Sequence, residues 1–180
     1  MIVCAGESES FDFALPIGVG LIEASVNLTR LALFDKPDFL LFVGTAGSYG
    51  EHNIFDVVES KSASNIELGF LSGDAYTPIN NVISANNTKS KDIIVNSSNY
   101  ITTNSELSKK FLKLGLSIEN MEFFALMHVA KEFDIPAGGI FCITNYTDKD
   151  AHETFLKNHA KAKEILKDAV AKKIEELKSR

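Results

Sequence analysis

The sequence predicts an α/β domain, a three-layer α/β/α sandwich with a mixed central sheet flanked by helices. Three observations point there. Strand-like apolar runs recur along the 180 residues and are separated by helical periodicity. Two of those runs, 38–45 and 138–144, are almost continuously apolar, as strands covered on both faces are. No linker or internal repeat divides the chain, so one domain spanning 1–180 is expected, large enough to bury roughly 70% of its unfolded surface.

Strands are expected at Ile2–Cys4, 11–17, 39–43, Val57–Ser60, 93–96 and 139–143, with those at 39–43 and 139–143 in mid-sheet. The first helix is predicted over 21–34, where Ile22, Val26, Leu28, Leu31 and Leu33 supply an apolar surface before Lys36-Pro37 closes it. A second is expected over 105–114, with Leu107, Phe111 and Leu114 on one face and Gly115 as a natural C-cap. A third, 121–133, carries Phe124, Ala125, Val129 and Phe133 ahead of Pro136. The last, 151–177, repeats Phe155, Leu166, Val170 and Ile174 at helical spacing. Between them, 73–92 is rich in Asn, Ser, Thr and Asp and reads as a long polar connection.

Charge and composition exclude several functions. A net charge of −6 argues against nucleic-acid binding, which needs a basic patch, and the C-terminal Lys residues alternate with Glu as on a solvated helix face. No segment reaches the roughly 18 consecutive apolar residues of a membrane span, so no membrane partner is expected and a cytoplasmic location is. Cys4 and Cys142 lie in apolar runs without metal-ligand spacing and read as buried free thiols. His52, His128, His152 and His159 are too scattered to suggest a metal site, and no metal or cofactor is expected.

Three constellations could carry chemistry. Gly44-Thr45-Ala46-Gly47 falls where a buried strand is expected to end and turn, so that backbone N–H groups and the Thr45 hydroxyl could face an anion or a water; a tight turn without a ligand is the alternative. Glu119-Asn120-Met121-Glu122 precedes an apolar helix. Its carboxylate could accept two hydrogen bonds from a ribose diol while Met121 packs on the sugar, or Glu122 could simply complement the helix dipole. In Ile143-Thr144-Asn145-Tyr146-Thr147-Asp148, polar residues follow a buried strand, where open α/β sheets hold their ligands. The Asn145 amide could read a purine edge in bidentate fashion; the alternative is that Asn145 and Asp148 only cap the following helix.

Taken in order, Gly18-Val19-Gly20, Lys36-Pro37-Asp38, Gly44-Thr45-Ala46-Gly47, Asn120-Met121-Glu122 and Thr144-Asn145 resemble the purine nucleoside phosphorylase and methylthioadenosine nucleosidase family, over most of 14–60 and 93–178. The resemblance implies a purine nucleoside phosphorylase acting on inosine or guanosine, with inorganic phosphate as co-substrate. The competing implications are a hydrolytic nucleosidase or a nucleoside-binding protein without catalysis. It places Thr45, Ala46 and Gly47 on the phosphate or water side, Met121 and Glu122 on the ribose, and Tyr100 and Asn145 on the base, with Glu122 and Asn145 catalytic. Many members have Asp where Asn145 stands. An amide cannot act as a general acid but can hydrogen-bond a 6-oxopurine leaving group.

The resemblance also implies a homo-oligomer, dimer or hexamer, for which the apolar residues Phe123, Phe124 and Met127 offer a surface unless they fill the core. The chain is expected to lack the family's first strand and phosphate loop, with Cys4-Ala5-Gly6-Glu7 and 11–17 forming a hairpin that leads into Gly18. Neither Arg30 nor Arg180 falls near the expected phosphate position, and Phe141 stands where some nucleosidases have Arg.

Overall fold

The computed structural model describes residues 1–85 and 92–178; Arg180 and part of the polar connection at 73–92 lie outside the described residues. Two long parallel strands form its centre, β3 (Leu40–Ser48) and β9 (Ala137–Tyr146), paired from Leu40↔Ala137 to Ser48↔Tyr146. Every residue of β3 and all of β9 except Tyr146 are buried, as their unbroken apolar runs require.

Side chains alternate across β3 and β9 between two cores. Phe42, Ala46, Phe141 and Ile143 face a layer made by α1 (Gly20–Phe34) and α4 (Phe123–Glu132), where Leu28 and Leu126 are fully buried. Leu41, Val43, Ile140 and Cys142 face α5 (Ala151–Lys178), which contributes Ala162, Leu166 and Val170. Each such Leu, Ile or Phe contributes about 1.5–3 kcal/mol by leaving water. Tyr49, Ile66, Phe111 and Leu116 form a third cluster under α3 (Ser105–Lys113).

The rest of the sheet grows from this pair. β1 (Ile2–Cys4) lies parallel to β3, and β2 (Leu15–Pro16) parallel to β1. Beyond β1, the same edge of β3 takes β8 (Ile118–Asn120) antiparallel through Gly47↔Glu119, followed by β7 (Ile94–Ser97), β5 (Ser62–Ser64) and β6 (Val82–Ser84). On its other side β9 pairs with β4 (Val57–Ser60), which Lys61 alone separates from β5. Walking from β9 through β3, β8, β7 and β5 to β4 therefore returns to β9, and the mixed sheet closes into a ring between its helical layers.

The sandwich and its central strands match the sequence expectation, and several local features depart from it. Cys4 to Ile17 is not a hairpin, because β1 and β2 run parallel, Val3↔Leu15 and Cys4↔Pro16. The expected strand at 11–17 shrinks to two residues: Phe11 is drawn into the core under α5, and Pro16 lacks the N–H that a longer ladder needs. Strands β5, β6 and β8 and the short helix α2 (Leu68–Ser72) have no counterpart among the expected elements. Ser62-Ala63-Ser64 hides its burial in polar residues whose hydroxyls are paired, Ser62 Oγ to Asp92 Oδ2 at 2.7 Å and Ser64 Oγ to Asn96 Oδ1 at 2.9 Å. Phe123 and Met127 fill the core rather than a free surface, and the large exposed apolar side chains instead include Ile22, Val26, Leu33 and Phe34 of α1. Among the described residues no helix is long and apolar enough to cross a membrane.

Candidate active site

A pocket of about 240 Å³ opens where β1, β3 and β9 end, the end of a parallel sheet at which ligands bind. Five stretches of chain distant in sequence line it, 5–9, 45–47, 100–101, 119–122 and the 144–155 region, together with Val19. All the residues singled out from the sequence, Thr45, Ala46, Gly47, Tyr100, Met121, Glu122 and Asn145, are among the lining. Asp148 is not. Its Oδ1 instead accepts the Asp150 N–H at 2.9 Å, within the turn ahead of α5 and not on an N–H of that helix.

The small residues at 44–47 form no turn. β3 continues through them to Ser48, and the irregularity lies opposite, where Ala46 pairs with Ile143 but Gly47 pairs with Asn145. Thr144 is thus an extra residue in β9, a bulge that re-aims the next side chain. The Thr144 hydroxyl donates to Asn145 Oδ1 at 2.9 Å, and Asn145 Nδ2 donates to the Tyr146 carbonyl at 3.1 Å, fixing the amide with a second Nδ2 hydrogen uncommitted. A Cβ on Gly47 would stand 3.2 Å from Asn145 Nδ2 and 3.0 Å from Thr147 Cγ2, so only glycine lets the strands approach this closely.

Glu122 stands at the N-cap of α4 but serves another helix. Asn120 Oδ1 takes over the capping by accepting from the N–H groups of Glu122 and Phe123 at 2.8 and 2.9 Å. Glu122 Oε1 accepts the Gly20 N–H at the start of α1 at 2.9 Å, leaving Oε2 for a ligand. Gly20 adopts φ +82, and a Cβ there would lie 2.8 Å from Asn99 Oδ1, which accepts the Leu21 N–H. Burial, reinforced by the charge of Glu9, pushes the Glu122 carboxyl up to about 7 against the pull of the Gly20 N–H.

Glu9 was missed in the sequence. A single 3-10 turn, Glu7–Glu9, follows β1 and brings its carboxylate against β3, where it accepts from the Thr45 N–H at 3.2 Å and from the Thr45 hydroxyl. Burial raises its pKa, while the two Thr45 bonds and Lys163 oppose the rise. The signal was available: Glu9 comes shortly after the carboxyl end of β1, past Gly6, just as Asn145 lies at the carboxyl end of β9. Glu119 was read only as part of a motif. Its carboxylate accepts from Tyr49 Oη and from the Thr102 N–H, both at 2.9 Å, and burial raises its pKa too.

The lining is therefore acidic, with Glu7, Glu9, Glu119 and Glu122, and among the described residues it contains no Lys or Arg. His152 and Phe155, stacked with ring centroids 6.4 Å apart, close one side from α5. Phe141, where an arginine was considered, is wholly buried against Phe42 and Phe123 and cannot reach a ligand.

Comparison with known proteins follows from this geometry. Residues 93–175 match the family model of the Phosphorylase superfamily. The fold of the chain is similar to a Helicobacter pylori 5′-methylthioadenosine/S-adenosylhomocysteine nucleosidase mutant with 5′-methylthioadenosine in its active site, with TM-score 0.78 and 16% identity over 91% of this chain and 79% of that one. A futalosine hydrolase mutant of Helicobacter pylori strain 26695 gives TM-score 0.76 and 16% identity over 91% and 80%. The Streptococcus pneumoniae nucleosidase with a transition-state inhibitor gives 0.75 and 12% over 94% and 95%. At these identities the likeness shows a shared fold and nothing beyond it. No curated protein sequence matches the chain.

Proposed function

We propose that this chain is a member of the phosphorylase superfamily and that it hydrolyses the N-glycosidic bond of a purine nucleoside. The observation that carries the reading is the Glu9 carboxylate, held by Thr45 in a pocket lined by three further carboxylates and, among the described residues, by no cationic Lys or Arg. Phosphate brought into this lining finds no Lys or Arg to pair with and is repelled by whichever carboxylates are ionised, whereas water meets a base. Phosphorolysis, which the sequence resemblance favours, is therefore placed second. The hydrolases among the structural neighbours support the same order.

In this mechanism Glu122 accepts the ribose 2′ and 3′ hydroxyls with Met121 beside the sugar, Thr45, Ala46 and Gly47 form the water side, and Tyr100 and Asn145 meet the base. As the C1′–N9 bond breaks, its electron pair leaves with the purine and an oxocarbenium-like sugar forms. Water adds to C1′, Glu9 takes its proton, and the purine takes one from solvent. Asn145 stabilises the departing base with its free Nδ2 hydrogen and supplies no proton, which favours 6-oxopurines over adenine. A homo-oligomer remains part of the proposal and is read by light scattering.

The deciding assay incubates inosine, guanosine and 5′-methylthioadenosine with and without phosphate and follows free base. Release without phosphate, fastest for the two 6-oxopurines, is the expected result. Release that requires phosphate would replace hydrolysis by phosphorolysis, and tight binding with no release would make the protein a nucleoside binder.

A further inference from the structure

Resting on the reading of Glu9 as the base that activates water, we propose that Lys163 of α5 is a positioning residue for it: the ammonium anchors the Glu7–Glu9 turn through the Ser8 carbonyl and keeps a positive charge beside the Glu9 carboxylate. Lys163 follows Ala162, which is buried against the sheet, and its side chain runs towards the end of β1. There Nζ donates to Ser8 O at 2.9 Å and stands 5.4 Å from the centroid of the Phe11 ring. The contact therefore brackets the turn from both ends, at Ser8 within it and at Phe11 just beyond.

That turn needs an external hold. Gly6 has φ +102 and Glu7, which is not glycine, has φ +50, a region that L residues enter at a cost. Inside the turn the backbone supplies only Glu9 N–H to Gly6 O at 2.8 Å and Ser10 N–H to Glu7 O at 3.3 Å. Thr45 holds the Glu9 carboxylate from β3, and Lys163 holds the backbone from the opposite helical layer. Without the second anchor, the carboxylate's place in the pocket depends on its own two hydrogen bonds.

The charge of Lys163 also acts on Glu9, less strongly than the two Thr45 hydrogen bonds. Glu122 from the head of α4 repels it, Cys4 of β1 lies within its field, and Glu7, Glu119 and His152 line the same pocket. His159, next on α5, is held low by burial and by Lys163, so it adds no cation near neutral pH. Lys163 is thus the positive charge that favours ionised Glu9 and opposes its desolvation.

The test is a carboxyl-carbon NMR titration of Glu9 in the whole protein, with Glu9→Gln to identify the signal. Lys163→Met should titrate at higher pH than wild type, and Lys163→Arg should return towards wild type; Lys163→Gln serves if the Met variant folds poorly. The acid limb of kcat/KM should move the same way, so that the loss in Lys163→Met is several-fold larger at low pH than above neutrality, a pattern that mere loss of stability would not produce. An unchanged Glu9 titration in Lys163→Met overturns the proposal. A fully active Glu9→Gln would overturn the role of Glu9 in hydrolysis, and the catalytic part of this proposal with it, while the titration still decides whether Lys163 sets the carboxylate's charge.

Discussion

Glu122, raised from 4.5 to about 7, links ligand binding to fold stability through one proton. Accepting two ribose hydroxyls requires the ionised form, so KM for the nucleoside should rise as pH falls through about 7, with a smaller change in kcat; a pH-independent KM would remove Glu122 from the sugar. Because the folded pKa of this acid is raised, the fold favours the protonated state. Ionisation costs stability progressively from pH 4.5 to about 7 and fully above it, on the order of 3 kcal/mol. Glu122→Gln keeps an acceptor for the Gly20 N–H without that charge. It should therefore melt higher than wild type at pH 8, lose the advantage at pH 4, and hydrolyse nucleoside at least about tenfold more slowly, as calorimetry and base release will read.

Among the elements, β3 and β9 were legible because nothing but burial on both faces explains apolar runs of that length. The bulge in β9 was not. Thr144-Asn145 reads as the end of a strand, and only the pairing partner reveals that the ladder resumes after one extra residue. Likewise β5 and β8 are written in Ser, Asn and Glu, whose burial depends on partners in other strands: Asn96 for Ser64, and Tyr49 with Thr102 for Glu119. Gly47→Ala tests how closely the bulge must pack. The added methyl presses on Thr147 and on the Asn145 amide, so kcat/KM should fall by about tenfold or more while far-UV circular dichroism keeps its native shape. Unaltered kinetics would mean that the amide's position does not govern the reaction.

For the whole molecule, the sandwich was readable from strand-helix alternation, and so was the end of the sheet that holds the pocket. Its acidity was not, since residue type does not tell which of the 24 Asp and Glu residues folding will desolvate. Closure of the sheet through β4 and β5 was equally hidden, because a single Lys61 separates two strands that pair on opposite sides. Amides of β3 and β9 should exchange last in native-state hydrogen exchange, and those of 73–81 among the first. Phe141→Ala should cost about 3–5 kcal/mol in denaturant unfolding, since its ring packs 5.0 Å from Phe123 and 5.7 Å from Phe42 between centroids. A loss below 1 kcal/mol would show that the aromatic layer repacks freely.

The pocket takes its walls from Ala5 at one extreme and Phe155 at the other. A ribosome making this protein must therefore deliver residues 5–155 before a complete site exists, and a ligand of this pocket cannot chaperone the early stages of its folding. Nascent chains arrested short of α5 should pass over an immobilised nucleoside unretained, whereas the released protein should be held.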